Sequence, residues 1–166
     1  MKIVSRFERD DRERINRDRC KTLGSIYRID LSCNRVSTYS VEYAKSEDYK
    51  FGNVFAFKSE ADKALVEVIR TYKNLDDYYG KVNYYEMISG SVYIILDNGD
   101  ISEITKEGVQ DENRRNSRLG FREWTFEQYI KSWYDNNNCF NGLSRASIAR
   151  NKISDIFENV KRGQYK

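Results

Sequence analysis

The stretch SVYIILDNGDISEIT, residues 91–105, places two short apolar runs around Asn98-Gly99. Asn-Gly suits a tight hairpin, because both residues tolerate the positive φ that a twisted two-stranded ribbon demands of its turn. The segment before it has a different period. From Ser59, an N-cap candidate, the apolar positions Ala61, Leu65, Val68, Ile69, Tyr72 and Leu75 recur every three or four residues. That spacing predicts an amphipathic helix over 60–79, ended by Gly80. A helix followed by a hairpin, without regular strand–helix alternation, points to the α+β class with antiparallel pairing.

The flanks extend this reading. SIYRIDL (25–31) and VSTYSVEY (36–43) alternate around a polar break and predict a second hairpin. After a polar loop at 45–50, the run Phe51–Phe57 predicts a further strand. Residues 106–121 are polar, carry Gly108 and Gly120, and show no period. Thr125 and Gln128 form a capping-box pair ahead of Phe126, Tyr129, Ile130 and Trp133, and residues 135–138 break that helix. Ser144 is the expected cap of a last helix with the stripe Ala146, Ala149, Ile153, Ile156, Phe157 and Val160, stopped at Gly163. The expected architecture is α+β: an antiparallel sheet of about five strands, a helix packed across it and two C-terminal helices. No repeat or linker divides the chain, so residues 1–166 are expected to form one domain, with 1–22 as a charged helical arm.

Composition removes whole classes of chemistry. With His 0, the chain has no Ser-His-Asp or Cys-His pair and no imidazole ligand. Three scattered cysteines, Cys20, Cys33 and Cys139, with no CxxC, suit reduced thiols in a cytoplasmic setting. The longest apolar run, Val92–Leu96, falls far short of the ~20 residues that span a bilayer, so no membrane partner is expected. Ile 14, Asn 14, Lys 13 and Tyr 13 have AT-rich codons, whereas Pro 0, Ala 6 and Gly 9 are scarce, as in an AT-rich bacterial, plasmid or phage genome.

Charge is segregated beneath the net +3. Residues 1–22 hold eight Lys/Arg against five Asp/Glu, and residues 59–108 hold five against ten. Read as a helix, the first segment pairs Arg6–Asp10, Glu8–Arg12, Arg9–Glu13, Asp10–Arg14, Glu13–Arg17 and Arg14–Asp18 at i,i+4. Arg6, Arg9, Arg12, Arg14 and Arg17 also suit bidentate phosphate or carboxylate contacts, as do Arg114, Arg115, Arg118 and Arg122. Tyr78, Tyr79, Tyr84 and Tyr85 lie beside Asp76, Asp77 and Glu86, an acidic, tyrosine-rich surface of the kind found at binding interfaces.

Catalytic spacings are weak. Asp97 after Gly90-Ser91 lacks the Asp-x-Asp of nucleotidyltransferases, because residue 99 is Gly. Asp48-Tyr49-Lys50 has the Asp-x-Lys spacing of metal-dependent nucleases. Arg28, Ser37–Ser40 and Gln110–Glu112 follow the residue order of ADP-ribosyltransferases, but Arg28 and Ser37 are too close in sequence for that family. The expectation is therefore a non-enzymatic phage- or plasmid-type protein with no catalytic residue, cofactor or metal. It would bind and inhibit a host nucleic-acid-processing machine, a protein or ribonucleoprotein complex, in the manner of anti-CRISPR and other anti-defence proteins. The alternatives are direct DNA or RNA binding through the arginine-rich segments, or a histidine-free enzyme such as a carboxylate-metal nuclease or ADP-ribosyltransferase.

Overall fold

Both expected hairpins form, each where alternation flanks a tight turn. The computed structural model describes residues 1–81 and 83–163. The strands are β1 (Lys2–Ser5), β2 (Ser25–Asp30), β3 (Arg35–Ser40), β4 (Val92–Ile95) and β5 (Ile101–Ile104). The helices are α1 (Glu13–Cys20), α2 (Ser46–Phe51), α3 (Lys58–Tyr79), α4 (Tyr84–Met87), α5 (Lys106–Arg118), α6 (Phe126–Asp135) and α7 (Leu143–Lys161). In the β4–β5 turn Gly99 takes φ +88, and a Cβ there would stand 2.6 Å from the Phe51 ring. Glycine is therefore required twice over at this position.

The α+β class holds, but the single five-stranded sheet does not. A three-stranded antiparallel sheet in the order β1-β5-β4 stands apart from the two-stranded β2–β3 hairpin. The expected strand at 51–57 is replaced by the end of α2, a left-handed Gly52 at φ +91 and one isolated bridge, Tyr27 to Phe55. Five consecutive buried residues, 51–55, gave an apolar run whose period cannot distinguish strand from buried turn.

Side chains seal the strand edges that this leaves. In antiparallel pairs, a residue whose N–H and C=O face away from its partner strand must find another partner for both. Along β2, the backbone of Tyr27 exchanges bonds with Phe55, both 2.9 Å. Next, buried Asn53 accepts from Ile29 N (2.9 Å) and donates to Ile29 O (2.8 Å). Beyond the strand, Leu31 N donates to Asp97 Oδ1 (2.8 Å), and Leu31 O accepts from Asn138 (3.2 Å). On β4, Tyr93 exchanges bonds with Phe140, and Ile95 N and O both bond the Asn138 amide at 2.8 Å. Two asparagine amides thus act as one-residue strands, and Asn138 ties the two sheets together.

Helices α3 and α7 cover this assembly and share the largest core with it. The α7 stripe is buried as its periodicity predicts, and Phe157 meets Phe51 and Phe55 edge to face at 5.2 and 5.5 Å. Gly142, not Ser144, is the N-cap of α7. The α6 helix starts at the expected Thr125–Gln128 capping box. Its face joins β4 and α5 in a second core around Ile94, Ile104, Val109 and Ile130.

The charged N-terminal segment is shorter in helix than expected and partly extended. Residues 2–5 pair with β5, and α1 begins only at Glu13, so Glu13–Arg17 (2.9 Å) is the i,i+4 ion pair of that segment that forms. Two further charges turn inward or to distant partners. Arg12 donates to Ser154 and Asp155, and Lys50 reaches Asp10 at 3.0 Å. Beneath them, Asn16 bonds Tyr49 O and Glu158, while fully enclosed Lys161 donates to Asn16 Oδ1 and Gly52 O. This polar seam fixes α1 and α2 against α7. The expected polar loop at 45–50 is α2, and the aperiodic stretch 106–121 is largely α5, with Thr105 as its N-cap. Only Val109 of α5 is buried, so no apolar period announces that helix.

Candidate macromolecular interface

The turn that leaves α5 is held rigidly while its apolar side chains face outward. Leu119 N and Phe121 N both donate to Asn116 O, and Gly120 takes φ +79 to reverse the chain. Asn113 clamps the far side: its amide donates to Trp124 O (2.6 Å), and its Oδ1 accepts from Trp124 N (2.9 Å). Ser117 donates to Glu123 across the same turn. On this fixed frame Leu119 is 71% exposed, Phe121 64% and Trp124 44%. Three large apolar side chains left out within six residues form a patch that the core does not explain.

The arginines of the segment lie in the last turns of α5 and in the turn itself. Arg122 lies 5.2 Å from the Trp124 ring centroid, a cation–π distance. Arg114 is held by Asp111 at 3.3 Å. Among the described residues, Arg115 and Arg118 make no ion pair, and both are exposed. Their place in the last turn of α5, directly ahead of the exposed turn, complements the helix dipole. The sequence places Arg114, Arg115, Arg118 and Arg122 as candidates but misses Leu119, Phe121 and Trp124. The signal was available: these three belong to no periodic stripe, and they flank the turn glycine Gly120 ahead of the Thr125 helix cap.

The remaining candidates are dispersed. Arg12 is only 8% exposed, and its guanidinium is used by Ser154 and Asp155. Arg9 pairs with Asp11 (3.1 Å), Arg17 stacks 4.5 Å from the Tyr49 ring, and Arg6 stands 3.7 Å from Asp100. Arg14 is exposed without an ion pair among the described residues. Tyr78 and Tyr79 stand at the end of α3 beside a groove of about 570 Å³ that also meets Lys152 and Asp155 of α7. Arg145 covers Tyr79 at 4.9 Å and donates to Tyr79 O and Gly80 O, closing the C-terminus of α3. Tyr84 packs on Tyr134 at 4.8 Å and donates to Glu127 O, whereas Tyr85 projects outward. The tyrosine cluster therefore divides between the end of α3 and α4.

Among the described residues, no group of three or more His, Cys, Asp or Glu is placed to hold a metal ion, and no helix is long and apolar enough to cross a membrane. Burial pushes the Cys139 thiol up to about 12 and raises that of Cys20, so neither is a ready nucleophile. Compared with known proteins, the chain matches no family model, no curated protein and no solved structure.

Proposed function

We propose that this chain is a non-enzymatic binding protein of the phage or plasmid type that inhibits a host nucleic-acid-processing machine by docking the α5–α6 turn on it. The observation that carries the proposal is the succession of exposed Arg115 and Arg118 at the end of α5 and Leu119, Phe121, Arg122 and Trp124 on the pre-ordered turn that follows. Trp and Arg are the residues most enriched in interface hot spots, and a loop fixed before binding loses little entropy on docking. Free guanidinium groups around an apolar centre fit an acidic-rimmed pocket, the kind of surface that proteins acting on nucleic acid use to hold metal ions and basic partners.

The test is a dose series of the protein in purified transcription, replication and nuclease-interference reactions, with Trp124→Ala/Arg118→Ala alongside. One activity should fall with dose, and the double variant should need at least about 10-fold more protein, the consequence of removing hot-spot side chains. Unaltered activity in every reaction, or equal potency of the double variant, overturns the proposal. The second reading, direct binding of single-stranded nucleic acid, is favoured by Phe121 and Trp124 as stacking rings beside free arginines. It calls for salt-sensitive fluorescence anisotropy with DNA or RNA, lost in the same variant.

A further inference from the structure

A second site, away from the turn, lies where the two sheets are joined. Its groove, about 350 Å³, is lined by Arg28 of β2, Tyr43, Lys45, Asp48 of α2, Asp97 of the β4–β5 turn and Trp133 of α6. These residues come from four separate parts of the chain. The edge-sealing bonds described above bring them together.

The groups in this groove are unevenly satisfied. The Arg28 guanidinium lies 4.5 Å over the Tyr39 ring. Its Nε is enclosed without a hydrogen-bond partner and stands 4.0 Å from Asp97 Oδ2, too far for a bond. Asp97 Oδ1 is occupied by Leu31 N, which fixes the carboxylate and leaves Oδ2 open. Asp48 is held in the same way, by Lys45 N at 2.8 Å on Oδ2. Burial raises the carboxyl pKa of both Asp48 and Asp97, although the charge of Arg28 opposes the rise. The Lys45 ammonium makes no ion pair with any described carboxylate. A fixed acceptor, a guanidinium held beside it by a loose ion pair and by the Tyr39 ring, and two aromatic rings thus line one open space.

Such a set selects among planar ligands by the order of their donors and acceptors. A carboxylate is satisfied by two donors side by side. Guanine offers that pair as N1–H and N2–H₂, with the O6 and N7 acceptors next to them for a guanidinium. Adenine and cytosine place a ring-nitrogen lone pair beside their single amino group, and uracil flanks its N3–H with carbonyls, so each turns an acceptor toward the carboxylate. Aromatic rings supply stacking for any base, and a lysine at the rim suits a phosphate. We propose that this groove binds a guanine base, with the open Asp97 Oδ2 accepting from both N1–H and N2–H₂, Arg28 donating to O6 and N7, Tyr43 and Trp133 stacking on the ring, and Lys45 taking the phosphate. The proposal is independent of the docking turn.

The experiment is isothermal titration calorimetry of the full chain with GMP, IMP, AMP, CMP and UMP. Two five-nucleotide RNA strands, UUGUU and UUAUU, distinguish a free nucleotide from a base within a strand. GMP should bind saturably, about 10- to 100-fold tighter than AMP, CMP or UMP, the discrimination expected of a bidentate pair. IMP, which lacks the N2 amino group, should fall between them. Asp97→Asn keeps an acceptor for Leu31 N but turns an amide donor on the base, and should abolish the preference for guanine. Lys45→Ala, at an exposed side chain, should weaken GMP and leave guanosine unchanged. GMP binding without UUGUU binding assigns a free nucleotide, and preference for UUGUU over UUAUU assigns a base within a strand. No saturable GMP binding into the millimolar range, or equal affinity for GMP and AMP, overturns the proposal.

Discussion

Replacing Asn138 with Leu tests the claim that side-chain amides complete the sheets. The two side chains share one branched skeleton, so no cavity is introduced, and the bulkier leucine methyl groups can only add overpacking to the loss. Three contacts vanish: Ile95 N to Oδ1 (2.8 Å), Nδ2 to Ile95 O (2.8 Å) and Nδ2 to Leu31 O (3.2 Å). Both polar groups of Ile95 point away from β5, so no strand can take them over, and Asn138 is fully enclosed. An orphaned buried backbone group costs about 1–3 kcal/mol, which gives a loss of about 3–5 kcal/mol when some rehydration is allowed. At about 2–4 °C per kcal/mol for a chain of this size, Tm should fall by about 6–20 °C. Urea and thermal unfolding followed by circular dichroism read the change, with Asn141→Leu, at an exposed site, expected within about 0.5 kcal/mol of the parent. Asn138→Asp adds a sign test. At neutral pH it directs a second oxygen at two carbonyls, whereas the protonated acid can donate, so its deficit should shrink as pH falls. A loss below about 1 kcal/mol for Asn138→Leu would show that the amide does not complete the strand edges.

Two further outcomes follow from buried groups. Burial pushes the Lys161 ammonium down to about 8, against 10.5 in the unfolded chain, with Glu158 at 3.8 Å opposing the shift. Below pH 8 both states hold the proton and the fold carries the whole cost. Between 8 and 10.5 only the unfolded state does, so stability rises with pH. The stability of the parent minus that of Lys161→Met should therefore grow by up to about 3 kcal/mol from pH 7 to 10.5, and a flat difference in urea midpoints would contradict this. Gly99→Ala should cost more than Gly80→Ala in a thermal melt: both have positive φ, but only Gly99 would drive its Cβ into the Phe51 ring. Equal losses would show that Phe51 yields without cost.

What was legible in the sequence had a period or a turn signature. The two hairpins, α3, α6 and the α7 stripe all satisfy this, because each buries one face against a continuous core. The β1 strand pairs through only a few residues, and α5 buries only Val109, so neither carries enough apolar residues to show a repeat. Residues 51–55 mislead for the opposite reason, since every one of them is buried. The role of Asn138 was hidden in the run 135–138, where asparagine reads correctly as a helix breaker. Its second role depends on two strands that are distant in sequence. Arg12 is similar: local charge spacing predicts a surface pair, but Ser154 and Asp155, more than 140 residues away, draw it inward.

The same long-range bonds explain why Arg28, Asp48 and Asp97 looked unrelated in the sequence. Each belonged to a separate weak motif, and none of those motifs is completed by its expected neighbours. Their meeting depends on sheet closure. Asp97 is aimed by Leu31 N, Leu31 O is held by Asn138, and Asn53 joins Ile29 to the Asp97 carbonyl at 3.0 Å. A carboxylate that serves the fold through one oxygen and leaves the other open is fixed without side-chain entropy still to lose, the condition under which a polar groove discriminates rather than merely attracts. It follows that Asn53 and Asn138, though they touch no ligand, should govern the position of the Asp97 Oδ2 atom. A strut variant that still folds should therefore lose guanine preference before it loses binding, since stacking on Trp133 tolerates a displacement that a pair of hydrogen bonds does not.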